Sequence, residues 1–245
     1  MSKALKKIKP IEIENFYLKQ ESNPALKAQQ SYANEQAMGI ELPFRSICVG
    51  PSGSGKTNLT VNIIKCINNF DKIIILAKDL NEFLYQHIIK TYAAADKKLK
   101  TGPRVLAISD IHDMPKIDDI DPKENTLLIA DDLVCEKPKD LLLLNAFWMR
   151  ARKQQVSMIF LGQKYFSIPL FIRTNSNVIF IKAVNSSAEL NGMLSQYQLG
   201  VSKQQLKDLY ERAIPDPTDV TKFLTILPAN PIATRFRANF DVMTL

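Results

Sequence analysis

The run Gly50-Pro51-Ser52-Gly53-Ser54-Gly55-Lys56-Thr57 places glycines, a cation and a hydroxyl at the spacing GxxxxGK[ST]. A glycine-rich loop of this kind can curl so that successive backbone N–H groups face one phosphate, and a helix opening near Lys56 adds its positive dipole end. Lys56 would bridge the β- and γ-phosphates, and Thr57 would offer its hydroxyl to Mg²⁺, an ion that takes hard oxygen ligands. Gly50 to Asn58 is therefore the expected cradle for ATP. A match of this length arises by chance at odds of roughly 1% from ordinary residue frequencies.

Two carboxylates follow the apolar run Thr126-Leu127-Leu128-Ile129-Ala130. Asp131 is placed to hold Mg²⁺, and Asp132, one residue on, to polarise an attacking water as general base. A strand end carrying solvated charges is the alternative. Asp79, Asp110 and Asp113 compete for the same roles, since each follows an expected strand, but none follows so apolar a run. Asp110 and Asp113 flank His112 and read better as a loop of solvated charges than as a metal cluster. The run Val156 to Leu161 ends at Gly162-Gln163, where an amide could donate to a phosphate oxygen and accept from the lytic water. A glutamine that merely caps its strand is the competing reading.

These groups need elements that deliver them to one place. Ser46 to Val49, Lys72 to Ala77, Arg104 to Ile108, Thr126 to Ala130, Val156 to Leu161 and Asn177 to Ile181 read as buried strands. Helices are expected over Lys56 to Asn68, Leu80 to Lys98, Lys139 to Arg152 and Ser186 to Tyr197. That alternation implies βαβ units, a mainly parallel sheet and helices on both faces, an α/β fold of the P-loop NTPase kind. A further helix, Ser202 to Arg212, opens on Ser202 as N-cap and stops before Pro215 and Pro217, and edge strands follow at Lys222 to Leu227 and Thr234 to Phe240. Residues 1–43 are polar and interrupted by Pro10, Pro24 and Pro43, an N-terminal extension preceding an ATPase domain at 44–245.

Composition sets wide bounds. Hydrophobic residues are 46% and charged residues 23% of the 245, as in ordinary globular chains. Cys48, Cys66 and Cys135 form no CxxC pair and read as reduced core residues. No apolar run approaches the ~20 residues of a membrane span, so a soluble intracellular protein is expected. The net charge of +7 suits a polyanionic partner without specifying one. Lys3, Lys6, Lys7 and Lys9 make a basic terminus, and Lys97, Lys98 and Lys100 a second basic run. Lys164-Tyr165-Phe166 mixes cation and aromatics as single-strand binding sites do, although packing is the commoner use.

GPSGSGKT, LLIADD, RKQQVS, FLGQKYFSIP and FIRTN together resemble the viral genome-packaging ATPases of the FtsK-HerA superfamily, above all those of large DNA viruses, including the poxvirus type, and of virophages. The resemblance runs from about Phe44 to Asp241. It implies a RecA-like sheet with the sensor strand between the two strands that carry the phosphate loop and the acidic pair, which would set Gln163 beside the γ-phosphate. It also implies a homo-oligomeric ring, pentamer or hexamer, in which an arginine from the neighbouring subunit completes each ATP site. Arg152 matches the family's Gly-Arg-His segment, with Ala151 for glycine and Lys153 for histidine, and Arg173 matches its Ile-Arg-x-Asn segment. Arg150 is a spare candidate.

The expected activity is ATP-driven translocation of double-stranded DNA, gripped by its backbone without sequence reading, into a preformed capsid. The implied partners are capsid vertex proteins, and the implied location is the viral assembly site or the virion. Another FtsK-HerA-type translocase, a nucleotide-gated capsid assembly factor with little turnover, and a small-molecule phosphotransferase are the alternatives.

Overall fold

The computed structural model describes residue 14 and residues 37–133 and 136–245. The basic terminus Lys3 to Lys9, Pro10, Pro24 and Cys135 lie outside the described residues.

Short apolar strands rich in β-branched residues alternate with helices, as the sequence pattern demands. In chain order these are β1 (Arg45–Val49), α1 (Lys56–Ile67), β2 (Lys72–Ala77), α2 (Phe83–Leu99), β3 (Val105–Ile108) and β4 (Thr126–Asp131). Next come α3 (Pro138–Leu141), α4 (Leu143–Arg150), β5 (Val156–Gly162), α5 (Leu170–Asn175), β6 (Val178–Ile181), α6 (Ser187–Leu194) and α7 (Lys203–Ala213). The chain ends in β7 (Leu224–Ile226), α8 (Ile232–Arg235), β8 (Phe236–Ala238) and β9 (Asp241–Val242).

The nine strands of the described residues form one sheet in the order β3-β2-β4-β5-β1-β6-β7-β8-β9. The first six in that order are parallel, and β7 to β9 add antiparallel strands at one edge. β5 lies between β4 and β1, the order that the resemblance implied. Register then does the positioning. Asp131 pairs with Ala77 and Leu161, and Val49 with Gly162 and Ile181, so the ends of five strands share one edge. In a parallel sheet with helices on both faces, that carboxyl edge is where ligands bind.

Two cores fill the faces. Alternate residues of β4 point opposite ways: Leu127 and Ile129 join α1 and α2 on one face, Leu128 and Ala130 join α4 to α7 on the other. At ~25 cal/mol per Å² of apolar area, fully burying one such side chain stabilises by about 1.5–3 kcal/mol, which is why strands covered on both faces tolerate so little polarity. Met38 and Ile40, before the expected domain start at 44, are buried in the first of these cores.

Several expected elements change shape. The helix expected over Lys139 to Arg152 breaks between α3 and α4 at Leu142, and a 3-10 turn over Ala151–Gln154 takes its end. The strand expected at Thr234 to Phe240 opens inside α8, whose N-cap Pro231 accepts at its carbonyl from the Thr234 N–H at 2.9 Å, and only Phe236–Ala238 pairs with β7. Helix α5 fills a stretch read for its motif alone. Ser202 does cap α7, in a reciprocal capping box with Gln205.

Candidate functional site

β1 runs into the loop 50–55, and α1 starts at Lys56 after Gly55, whose φ of 84° is left-handed. A Cβ at Gly55 would lie 2.5 Å from the carbonyl oxygen of Val220, and one at Gly50 would lie 2.6 Å from Lys182 Cβ. The motif glycines are thus required by the wall behind the loop as well as by the curl of the loop itself. Around Gly53 nothing among the described residues lies within 4 Å of such a Cβ, so they leave the front of the loop open. Lys56 Nζ donates to the carbonyls of Gly50 and Pro51 at 2.8 and 2.9 Å, which commits two of its three N–H bonds to shaping the loop. Ser54 Oγ is buried with no hydrogen-bond partner among the described residues. An orphaned hydroxyl, open space and the N-terminal N–H groups of α1 fit a phosphate chain.

The acidic pair stands one strand beyond β5. Asp131 is largely buried, and that desolvation raises its carboxyl pKa, opposed by a 2.5 Å hydrogen bond from Tyr85 Oη and by the charge of Lys56. Asp132 leaves the strand in the left-handed region, φ 53°, which Asp tolerates better than most residues. That turn swings its carboxylate toward β5, where Gln163 Nε2 donates to Asp132 Oδ1 at 3.3 Å. Both side chains are exposed. Loop, acidic pair and amide therefore share the carboxyl edge of adjacent strands.

Other sequence candidates go elsewhere. Asp79 and Asp110 accept from the backbone N–H groups of Asn81 and His112 in local turns. Asp113 is exposed, and His112 Nε2 lies 3.8 Å from Asp140 rather than in a cluster with its neighbours. Asn58 is fully buried and its side chain donates to the carbonyl of Glu14 at 3.1 Å.

The arginines are held very differently. Arg152 sits in the 3-10 turn before β5, exposed, at the opposite edge from the phosphate loop; the seven residues of β5 put about 20 Å of strand between them. Arg150 is paired with Asp118. Arg173, on α5, donates to the carbonyl of Ile168 at 3.0 Å and lies over the rings of Tyr165 and Phe166 at 4.9 and 5.4 Å. Tyr165 itself is core, its hydroxyl 2.8 Å from that of Tyr197, so the central ring of the Lys164-Tyr165-Phe166 segment packs, while Lys164 and Phe166 stay exposed.

Two residues were not singled out from sequence. Tyr85 reads there as one more aromatic at helical spacing. Lys182 follows the apolar run of β6 and reads as a solvated strand end, yet it is 1% exposed beneath the phosphate loop. Its Nζ donates to the carbonyl of Val220 at 2.6 Å and lies 5.2 Å from the Phe223 ring centre. Burial brings its pKa down to about 8. The same burial pushes the Cys48 thiol up to about 12.

A phosphate loop, an acidic strand end one strand beyond the neighbour, and an amide on the strand between them define a P-loop nucleoside triphosphatase of the RecA-like kind. The family model described as "Poxvirus A32 protein" matches residues 33–213, and the chain belongs to that family. It is accordingly a genome-packaging ATPase of the poxvirus type. Among solved structures it is similar to the genome packaging NTPase B204 from Sulfolobus turreted icosahedral virus 2 in complex with sulfate. That match has 16% identity, covers 78% of this chain and 94% of that one, and has a TM-score of 0.49. The ATP-gammaS complex of the same NTPase matches at 15% identity, 75% and 92% coverage and a TM-score of 0.48. The cytoplasmic domain of the Type VII secretion ATPase EccC from Thermomonospora curvata matches at 14% identity, 76% and 24% coverage and a TM-score of 0.41. Comparison with curated protein sequences gives no match. No helix among the described residues is long and apolar enough to cross a membrane.

Proposed function

We propose that this ATPase is the motor subunit that drives double-stranded DNA into a preformed capsid, and that each of its sites is completed by a second copy of the chain. Gly50 to Thr57 bind the triphosphate, with Lys56 neutralising the oxygens between which charge moves. Thr57 and Asp131 would hold Mg²⁺, which would supply Lewis-acid neutralisation of phosphate charge. Asp132 orients and deprotonates the water, and Gln163, within hydrogen-bond reach of Asp132, reports whether a γ-phosphate is present. Arg152 supplies the missing positive charge from the neighbouring subunit of a pentameric or hexameric ring. Exposed cations on the edge where the strands begin, Lys97, Lys98 and Lys100 among them, are candidates for gripping the DNA backbone. Capsid vertex proteins at the viral assembly site are the partners this role requires.

One observation carries the shared-site reading: phosphate loop, Asp131, Asp132 and Gln163 lie together on one edge, while Arg152 is exposed at the other, with no hydrogen bond or ion pair among the described residues. The test is ATP turnover with and without duplex DNA, alongside the particle mass. A ring whose turnover rises with duplex DNA, and loses it with Lys56→Ala, is expected. A monomer indifferent to DNA, or a Lys56→Ala protein that still supports packaging, would end the proposal.

A further inference from the structure

The buried groups beside the acidic pair include one that the packaging reaction, as argued above, leaves without a task. Tyr85 is the third residue of α2, and its ring is 1% exposed. The helix start is pinned. Glu82 caps it, its carboxylate accepting from the N–H groups of Leu84 and Tyr85 at 2.8 and 3.1 Å. From this fixed base the Tyr85 hydroxyl donates to Asp131 Oδ2 at 2.5 Å. A buried phenol therefore holds one of the groups read as Mg²⁺ holders.

Donor and acceptor counting fixes the direction of this bond. An ionised carboxylate only accepts, so Tyr85 must donate its single O–H to Asp131. That bond occupies Oδ2 and leaves Asp131 Oδ1 clear of Tyr85. We propose that Tyr85 is a positioning residue for the metal half of the phosphate site: its hydroxyl fixes the rotation of Asp131 so that the carboxylate presents oxygen lone pairs to a divalent cation. The proposal rests on Asp131 being a metal holder.

Partners that orient metal ligands in this way typically contribute 10–100-fold to metal affinity. Tyr85→Phe removes only the hydroxyl, and Tyr85→Met fills similar space without the ring should Phe disturb folding; a thermal melt without metal establishes that each variant is folded. The measurement is binding of a fluorescent non-hydrolysable ATP analogue as Mg²⁺ is titrated, with a parallel titration in chelator. In Tyr85→Phe the Mg²⁺ concentration for half-saturation should rise roughly 10-fold or more, while affinity in chelator stays as in wild type. Equal Mg²⁺ dependence in folded variant and wild type would overturn the role of Tyr85 and leave the metal reading standing. Absence of any Mg²⁺ effect on wild-type binding would overturn the assignment of Thr57 and Asp131, and the proposal with it.

Discussion

At the edge where the parallel strands end, charged and polar groups are crowded and mutually held: Lys56 on the loop carbonyls, Asp131 on Tyr85, Asp132 on Gln163, Lys182 on Val220. Where the strands begin, Arg152 stands exposed with no hydrogen bond or ion pair among the described residues, and Lys97, Lys98 and Lys100 are exposed beside the end of α2. Groups that must meet a reacting phosphate at fixed distances need prepaid order, because reorganisation at the moment of reaction adds to the barrier. Groups that grip a polyanion or complete a neighbour's site gain from being free until the partner arrives. On the proposed reading, one edge is the site and the other the contact.

Substitutions can break that contrast. Arg152→Ala should have the largest effect, a fall of roughly 10³-fold or more in kcat with nucleotide affinity nearly unchanged, read by steady-state ATPase and analogue binding. A large loss from Arg173→Ala with little from Arg152→Ala would move the role to α5. Asp132→Asn should lower kcat by about 10²–10⁴-fold, again without loss of binding. If binding fell instead, Asp132 would be holding the loop rather than the water.

Lys182 sharpens the contrast through pH. Its amine has a pKa of about 8 in the fold against an ordinary 10.5, so between those values the unfolded chain binds a proton that the native protein does not. Stability should therefore rise with pH from about 8 to about 10.5, by about 3 kcal/mol at most, as a contribution that Lys182→Met abolishes in urea unfolding at several pH values. The smallest effect is expected from Arg173→Ala. Losing its bond to the Ile168 carbonyl and its place over Tyr165 and Phe166 should cost about 1–2 kcal/mol of stability, with a far smaller change in turnover than Arg152→Ala gives.

Much of the fixed edge was legible in the sequence. The loop and its helix are dictated by Gly50 to Thr57, and apolar runs marked β1, β2, β4, β5 and β6 to within a residue or two, because strands buried on both faces leave no room for polar interruption. That Asp132 meets Gln163 was not legible from the residues, since it depends on strand order and on a left-handed turn at Asp132; the resemblance supplied the strand order. Tyr85 and Lys182 were missed for a shared reason. Each has a side chain whose ordinary use, core packing or a solvated strand end, hides what burial beside the phosphate loop makes of it. Helix α5 is six residues behind Pro169, too short for a 3.6-residue period to emerge.

The central claim is that each ATP site is divided between copies, and mixing two inactive variants tests it directly. Lys56→Ala lacks the phosphate cation but keeps Arg152, and Arg152→Ala keeps an intact loop. Combined in equal amounts and allowed to reassemble, they should recover a substantial fraction of wild-type ATPase activity, because some interfaces then pair an intact loop with an intact arginine. A mixture no more active than its two components would contradict the account.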